Sequence, residues 1–165
     1  MSVAAYLGVV VVHVLAAIVW VGGVLFFALV GAPVLRTVEP PELRASLFDA
    51  IGRRFRHVGW WAVAVLLVTG PVLLAMRGWL SPDVMFRADF WRTAAGTALA
   101  WKLALVVVMI ALTAAHDVAL DPRRARDAAG GAASERSRRR AVLMARFGAL
   151  AAVAVVAVAA RLART

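Results

Sequence analysis

Four apolar stretches dominate this 165-residue sequence, near residues 3–30, 57–77, 92–116 and 141–162. Each is close to or above the roughly 20 residues that a helix needs to cross a bilayer. Backbone N–H and C=O groups find no water in hydrocarbon, so such stretches must bond internally, as helices. The spans occupy over half the chain and leave no length for a separate soluble domain. The predicted class is all-α: one integral membrane domain over 1–165, built as a four-helix bundle. Hydrophobic residues make up 64% and the mean hydropathy is +0.86, well beyond a soluble domain.

The first span could pass for a secretion signal, but its apolar run is too long and no basic residue precedes it. It is read as a true span.

A formal charge of +10 suggests nucleic acid until the charges are placed. Arg36, Arg44, Arg53, Arg54 and Arg56 lie between the first and second spans. Arg123, Arg124, Arg126, Arg136, Arg138, Arg139 and Arg140 lie between the third and fourth. The opposite side has Arg77, Arg87, Arg92, Arg161 and Arg164, which makes twelve against five. Positive loops stay inside, so 31–56 and 117–140 are predicted to be cytoplasmic, with both termini periplasmic. The charge then orients the chain and meets anionic lipid, and no nucleic-acid partner is expected.

Between the first two spans, Pro40 and Pro41 suit a helix start. Leu43, Leu47, Ile51 and Phe55 follow at four-residue spacing. This predicts a cytoplasmic amphipathic helix on the membrane surface, running into the second span. Pro71 is expected to kink that span. On the outer side, Ser81-Pro82-Asp83 marks a turn or helix start, and Trp79, Phe90 and Trp91 suit an interfacial aromatic belt. The loop 119–140 reads as mobile.

Ionisable side chains within a bilayer are costly and usually functional. Lys102 is the single lysine beside 18 arginines. Lys102, Met109 and His116 are spaced seven and seven apart, which places them on one face of the third span. His13 and Trp20 share a face of the first span, with Gly22-Gly23 following. At those glycines a neighbouring helix or a flat cofactor can come close. His13 lies about 15 Å along the axis from the outer end. Two levels result: His13 with Lys102 outside, and His57 with His116 at the cytoplasmic boundary.

A neutral imidazole can ligate copper or iron. Two histidines on facing helices suit a b-type haem, while Met109 is a soft copper(I) donor or simple packing. The absence of cysteine excludes thiolate sites, iron–sulfur clusters and disulfides. No deep carboxylate, phosphate loop or hydrolase motif occurs, so a proton relay through carboxylates, an ATPase and a hydrolase are set aside.

The stretch His13-Val-Leu-Ala-Ala-Ile-Val-Trp20-Val-Gly22-Gly23 resembles the first helix of CopD-type copper-resistance membrane domains. Arg54-Phe55 followed by Thr69-Gly70 resembles their second helix, and the Lys102 helix ending at His116 resembles their third. The resemblance implies copper uptake, tolerance or delivery at the bacterial inner membrane, through His13, His116, His57 and Met109 as metal ligands. The same histidine, tryptophan and lysine placements more weakly resemble HemJ, a haem-binding four-helix protoporphyrinogen oxidase. Against that second likeness, Ala115 stands where a tyrosine is expected. It implies haem b held by His13, Trp20, Lys102, His57 and His116, acting in electron transfer or porphyrinogen oxidation. A third reading is an accessory subunit with no cofactor. Copper against haem b stays undecided at this point, as do enzyme activity, a periplasmic copper or electron-transfer partner, and homo-oligomerisation.

Overall fold

The computed structural model describes residues 2–119, 150–151 and 153–161, with side chains on the third long helix described as far as Ala115. Every regular element among them is helical. Three helices are long and apolar enough to cross a membrane: α1 (Val3–Arg36), α2 (Pro41–Met76) and, after two short helices, α5. The short ones are α3 (Pro82–Met85) and α4 (Ala88–Arg92), and α5 runs Ala94–Ala119. Residues 150–151 and 153–161, within the predicted fourth span, are also helical. The predicted loop 117–140 lies outside the described residues from 120 onward. The backbone forms two compact units, Met1–Thr93 and Ala94–Thr165.

In the first unit α1 begins at Ser2, whose hydroxyl accepts from the Ala5 N–H at 3.3 Å. It runs past the expected end at residue 30 and through Pro33. The reason is local. Two stretches of α1, Ile18–Gly22 and Phe27–Gly31, are wound as π-helix. The second closes with the Ala32 N–H donating to the Phe27 carbonyl, one residue before Pro33. Proline then enters the first turn of the next α-helical segment, Ala32–Arg36, where its missing N–H matters least.

The 41–56 segment is helical, as its spacing predicts, but it is not a separate element. It forms the first turns of α2, which continues unbroken for 36 residues and through Pro71. Nothing between Arg56 and His57 can stop a helix. At 1.5 Å per residue α2 is about 54 Å long, against about 30 Å of hydrocarbon, so the basic half extends beyond the core. The predicted loop 31–56 shrinks to residues 37–40. Here the Thr37 hydroxyl donates to the Val34 carbonyl at 2.8 Å, and Arg44 donates to the Arg36 carbonyl at 3.2 Å. A cation at a helix C-terminus opposes its negative end.

The outer end of α2 closes on Gly78, at φ +73°. Trp79 N–H donates to the Leu74 carbonyl at 2.9 Å and Gly78 N–H to Ala75 at 3.0 Å. This paired closure requires a left-handed residue, which glycine adopts without strain. Beyond it, Arg77 stacks 5.3 Å over Trp79 and donates to the Tyr6 hydroxyl at 3.2 Å, tying the start of α1 to the end of α2. The predicted aromatic belt is a contact cluster: Trp79 meets Phe90, and Phe90 meets Trp91, both edge to face.

α1 and α2 pack antiparallel. Ala16, Trp20, Val21 and Leu35 on α1, and Gly59, Ala62 and Val63 on α2, are buried. Large apolar side chains elsewhere are open, Trp61 at 74% and Val68 at 67%. Water would penalise such a surface, whereas lipid solvates it.

Candidate functional site

His13 is the polar residue deepest in α1. It sits half-buried against α2, its Nδ1 2.7 Å from the Thr69 hydroxyl. The same hydroxyl lies 2.7 Å from the Val65 carbonyl, one turn back along α2. Two polar atoms that close repel unless a proton lies between them. The carbonyl has none to offer, so the hydroxyl proton serves that contact. Nδ1 must then carry the proton of the other. With Nδ1 donating to Thr69, Nε2 is the ring nitrogen on the side away from that hydroxyl. A metal-binding histidine is typically oriented in this way by a second hydrogen bond.

A Cβ on Gly70 would stand 3.7 Å from His13 Cε1, an ordinary contact. Trp20, 3% exposed, belongs to the first π-helical stretch and lies over Gly59, whose added Cβ would be 3.9 Å from Trp20 Cδ1. Extra winding of this kind often marks functional stretches of a helix. Further in, the Phe55 ring occupies the space a side chain on Gly23 would need. Phe27 and Phe48 continue the seam edge to face at 6.2 Å. Of the two occupants open to the glycine pair, a neighbouring helix is the one found at Gly23.

The structure thus brings His13 to Thr69-Gly70 and Gly23 to Phe55, pairs separated by 56 and 32 positions in sequence. Thr69, the hydrogen-bond partner of His13, has no role assigned in the sequence reading. It stands there as the polar residue before Gly70-Pro71 and in the Thr69-Gly70 pair that resembles the CopD second helix.

The other predicted site residues are distributed. His57 is exposed on α2, twelve positions from Thr69, about 18 Å along the axis, so it and His13 do not form one site. On α5 in the second unit, Lys102 is half-buried and Met109 is 2% exposed. The Thr113 hydroxyl donates to the Met109 carbonyl at 2.8 Å. The His116 side chain lies outside the described residues. Among the described residues no group of three or more histidine and carboxylate side chains is poised around a common point.

Comparison with known proteins gives the family. The model of copper resistance protein D, CopD, matches residues 49–162, over two thirds of the chain. That match includes α2 from Asp49 and all of α5, while α1 with His13 precedes it. An uncharacterized protein of Aquifex aeolicus (strain VF5) is 42% identical over 74 residues, which are 44% of this chain and 50% of the relative. The alignment therefore spans half the length of that relative. No solved structure matches. With its membrane-length helices and this match, the chain is a multi-pass membrane protein belonging to the CopD copper-resistance family.

Proposed function

We propose that the protein handles copper within the bacterial inner membrane, in uptake, tolerance or delivery, with His13 as the principal ligand. The observation that supports this reading is the 2.7 Å contact between His13 Nδ1 and the Thr69 hydroxyl, which holds an imidazole deep in a span. Copper is the cargo here. Imidazole serves copper in either oxidation state, and a thioether suits copper(I). The family resemblance adds Met109, His116 and His57 as further candidate donors. A periplasmic copper or electron-transfer protein is the partner expected at the outer face.

In this reading the chain is a single four-helix domain with 141–162 as its fourth span and both termini periplasmic. The twelve-to-five arginine asymmetry supports it. The chain has no cysteine, so single-cysteine labelling tests the arrangement without a background. Ser46→Cys, on the basic half of α2, is expected to react with an impermeant maleimide only after the cells are opened. Asp83→Cys, on α3, should react in intact cells. The reverse pattern would invert the topology.

Copper and haem are separated by one sample. Purified protein is expected to retain copper on metal analysis and to show no Soret band, even after haem feeding. A Soret band that His13→Ala abolishes would replace the copper reading by the b-type haem one, to which Lys102 would lend a cation for a propionate. Neither copper nor haem in the sample, with histidine variants fully active, would leave the cofactor-free accessory subunit.

A further inference from the structure

We infer that Thr69 is a positioning residue that makes Nε2, and not Nδ1, the cation-binding nitrogen of His13. Its functional consequence rests on the copper reading above; the tautomer itself does not. The two 2.7 Å contacts of the Thr69 hydroxyl, to His13 Nδ1 and to the Val65 carbonyl, need two protons. The hydroxyl has one, so Nδ1–H supplies the other. In water a neutral histidine side chain prefers its proton on Nε2, which would leave Nδ1 as the ligand, close to the backbone of α1. Thr69 reverses that preference. The ring then reaches a cation through its outermost nitrogen, while the bonded Nδ1–H raises the basicity of Nε2. The anchor is itself held. Its hydroxyl is tied to the preceding turn of α2, and the Gly70 position beside it admits the edge of the ring.

The test is nitrogen-15 NMR of histidine-labelled full-length protein in nanodiscs, metal-free and near neutral pH, with His13→Gln used to assign the His13 signals. Wild type and Thr69→Ser are expected to show a protonated Nδ1 and an unprotonated Nε2. Thr69→Val keeps the shape and removes the hydroxyl, and should move the proton to Nε2. Silver(I), a diamagnetic stand-in for copper(I), should then shift Nε2 in wild type and bind about tenfold more weakly to Thr69→Val. An Nε2–H signal in wild type, an unchanged tautomer in Thr69→Val, or silver at Nδ1 would overturn the inference. A His13 with the expected tautomer that takes no silver at either nitrogen would overturn its metal half and count against the copper reading. The tautomer signals would still stand for the role of Thr69.

Discussion

Gly23→Ala is expected to destabilise the α1–α2 pair by about 1–3 kcal/mol, the usual cost of overpacking a close contact. A single added carbon would overlap the Phe55 ring, which lies against the glycine. Phe55 is half-buried on a helix that runs unbroken from Pro41, so the ring cannot swing away without losing its place in the seam. Adding Phe55→Leu to Gly23→Ala should recover most of the loss, because the smaller side chain vacates the overlap. A double-mutant cycle by unfolding in bicelles measures the coupling. The neighbouring glycines are the control. A Cβ on Gly22 meets nothing within 4 Å, and on Gly70 only an ordinary contact at 3.7 Å. Alanine at either should change stability by no more than about 0.5 kcal/mol. If Gly23→Ala behaved like Gly22→Ala, or if Phe55→Leu gave no relief, the packing described for the seam would be wrong.

His13→Ala is expected to have the largest functional effect of any single substitution. It removes the one imidazole that the first unit holds at depth, together with its bond to Thr69. The Thr69 hydroxyl keeps the Val65 carbonyl as acceptor, so α2 loses no satisfied donor and the protein should still insert at the wild-type level. Copper retained by the purified protein should fall at least tenfold, in keeping with loss of a principal ligand. His57→Ala should retain most of it, since His57 is exposed and far along α2 from the Thr69 contact. Equal losses for the two variants would point to a general defect and not to a site at His13.

Much of this architecture is legible in the sequence because hydrophobic length is a one-dimensional property. The three described membrane-length helices, the helix start at Pro41 and the aromatic cluster of Trp79, Phe90 and Trp91 all follow from local pattern. The end of α1 does not, because Pro33 signals a stop to any reading that assumes regular winding. The π-helical turn at Phe27–Gly31 changes which N–H groups are used just before it. The merging of 41–56 into α2 was half legible. Its apolar spacing gives the helix, but only the packing of Phe48 on Phe27 and of Phe55 on Gly23 shows that segment continuing the seam with α1. The site was legible as residue types and not as a partnership. His13 stands out as a histidine in a span, and Thr69-Gly70 as a break in an apolar run. That one bonds the other depends on how two helices register, which no local spacing encodes. Met109, read as a soft donor or as packing, is buried, which suits either.

Copper tolerance of a deletion strain complemented with wild type, His13→Ala or His57→Ala, at matched membrane levels, tests the copper role of His13 most directly. Wild type and His57→Ala should restore wild-type growth across a copper series, and His13→Ala should grow no better than the empty vector. Full complementation by His13→Ala would contradict the assignment of copper handling to that imidazole.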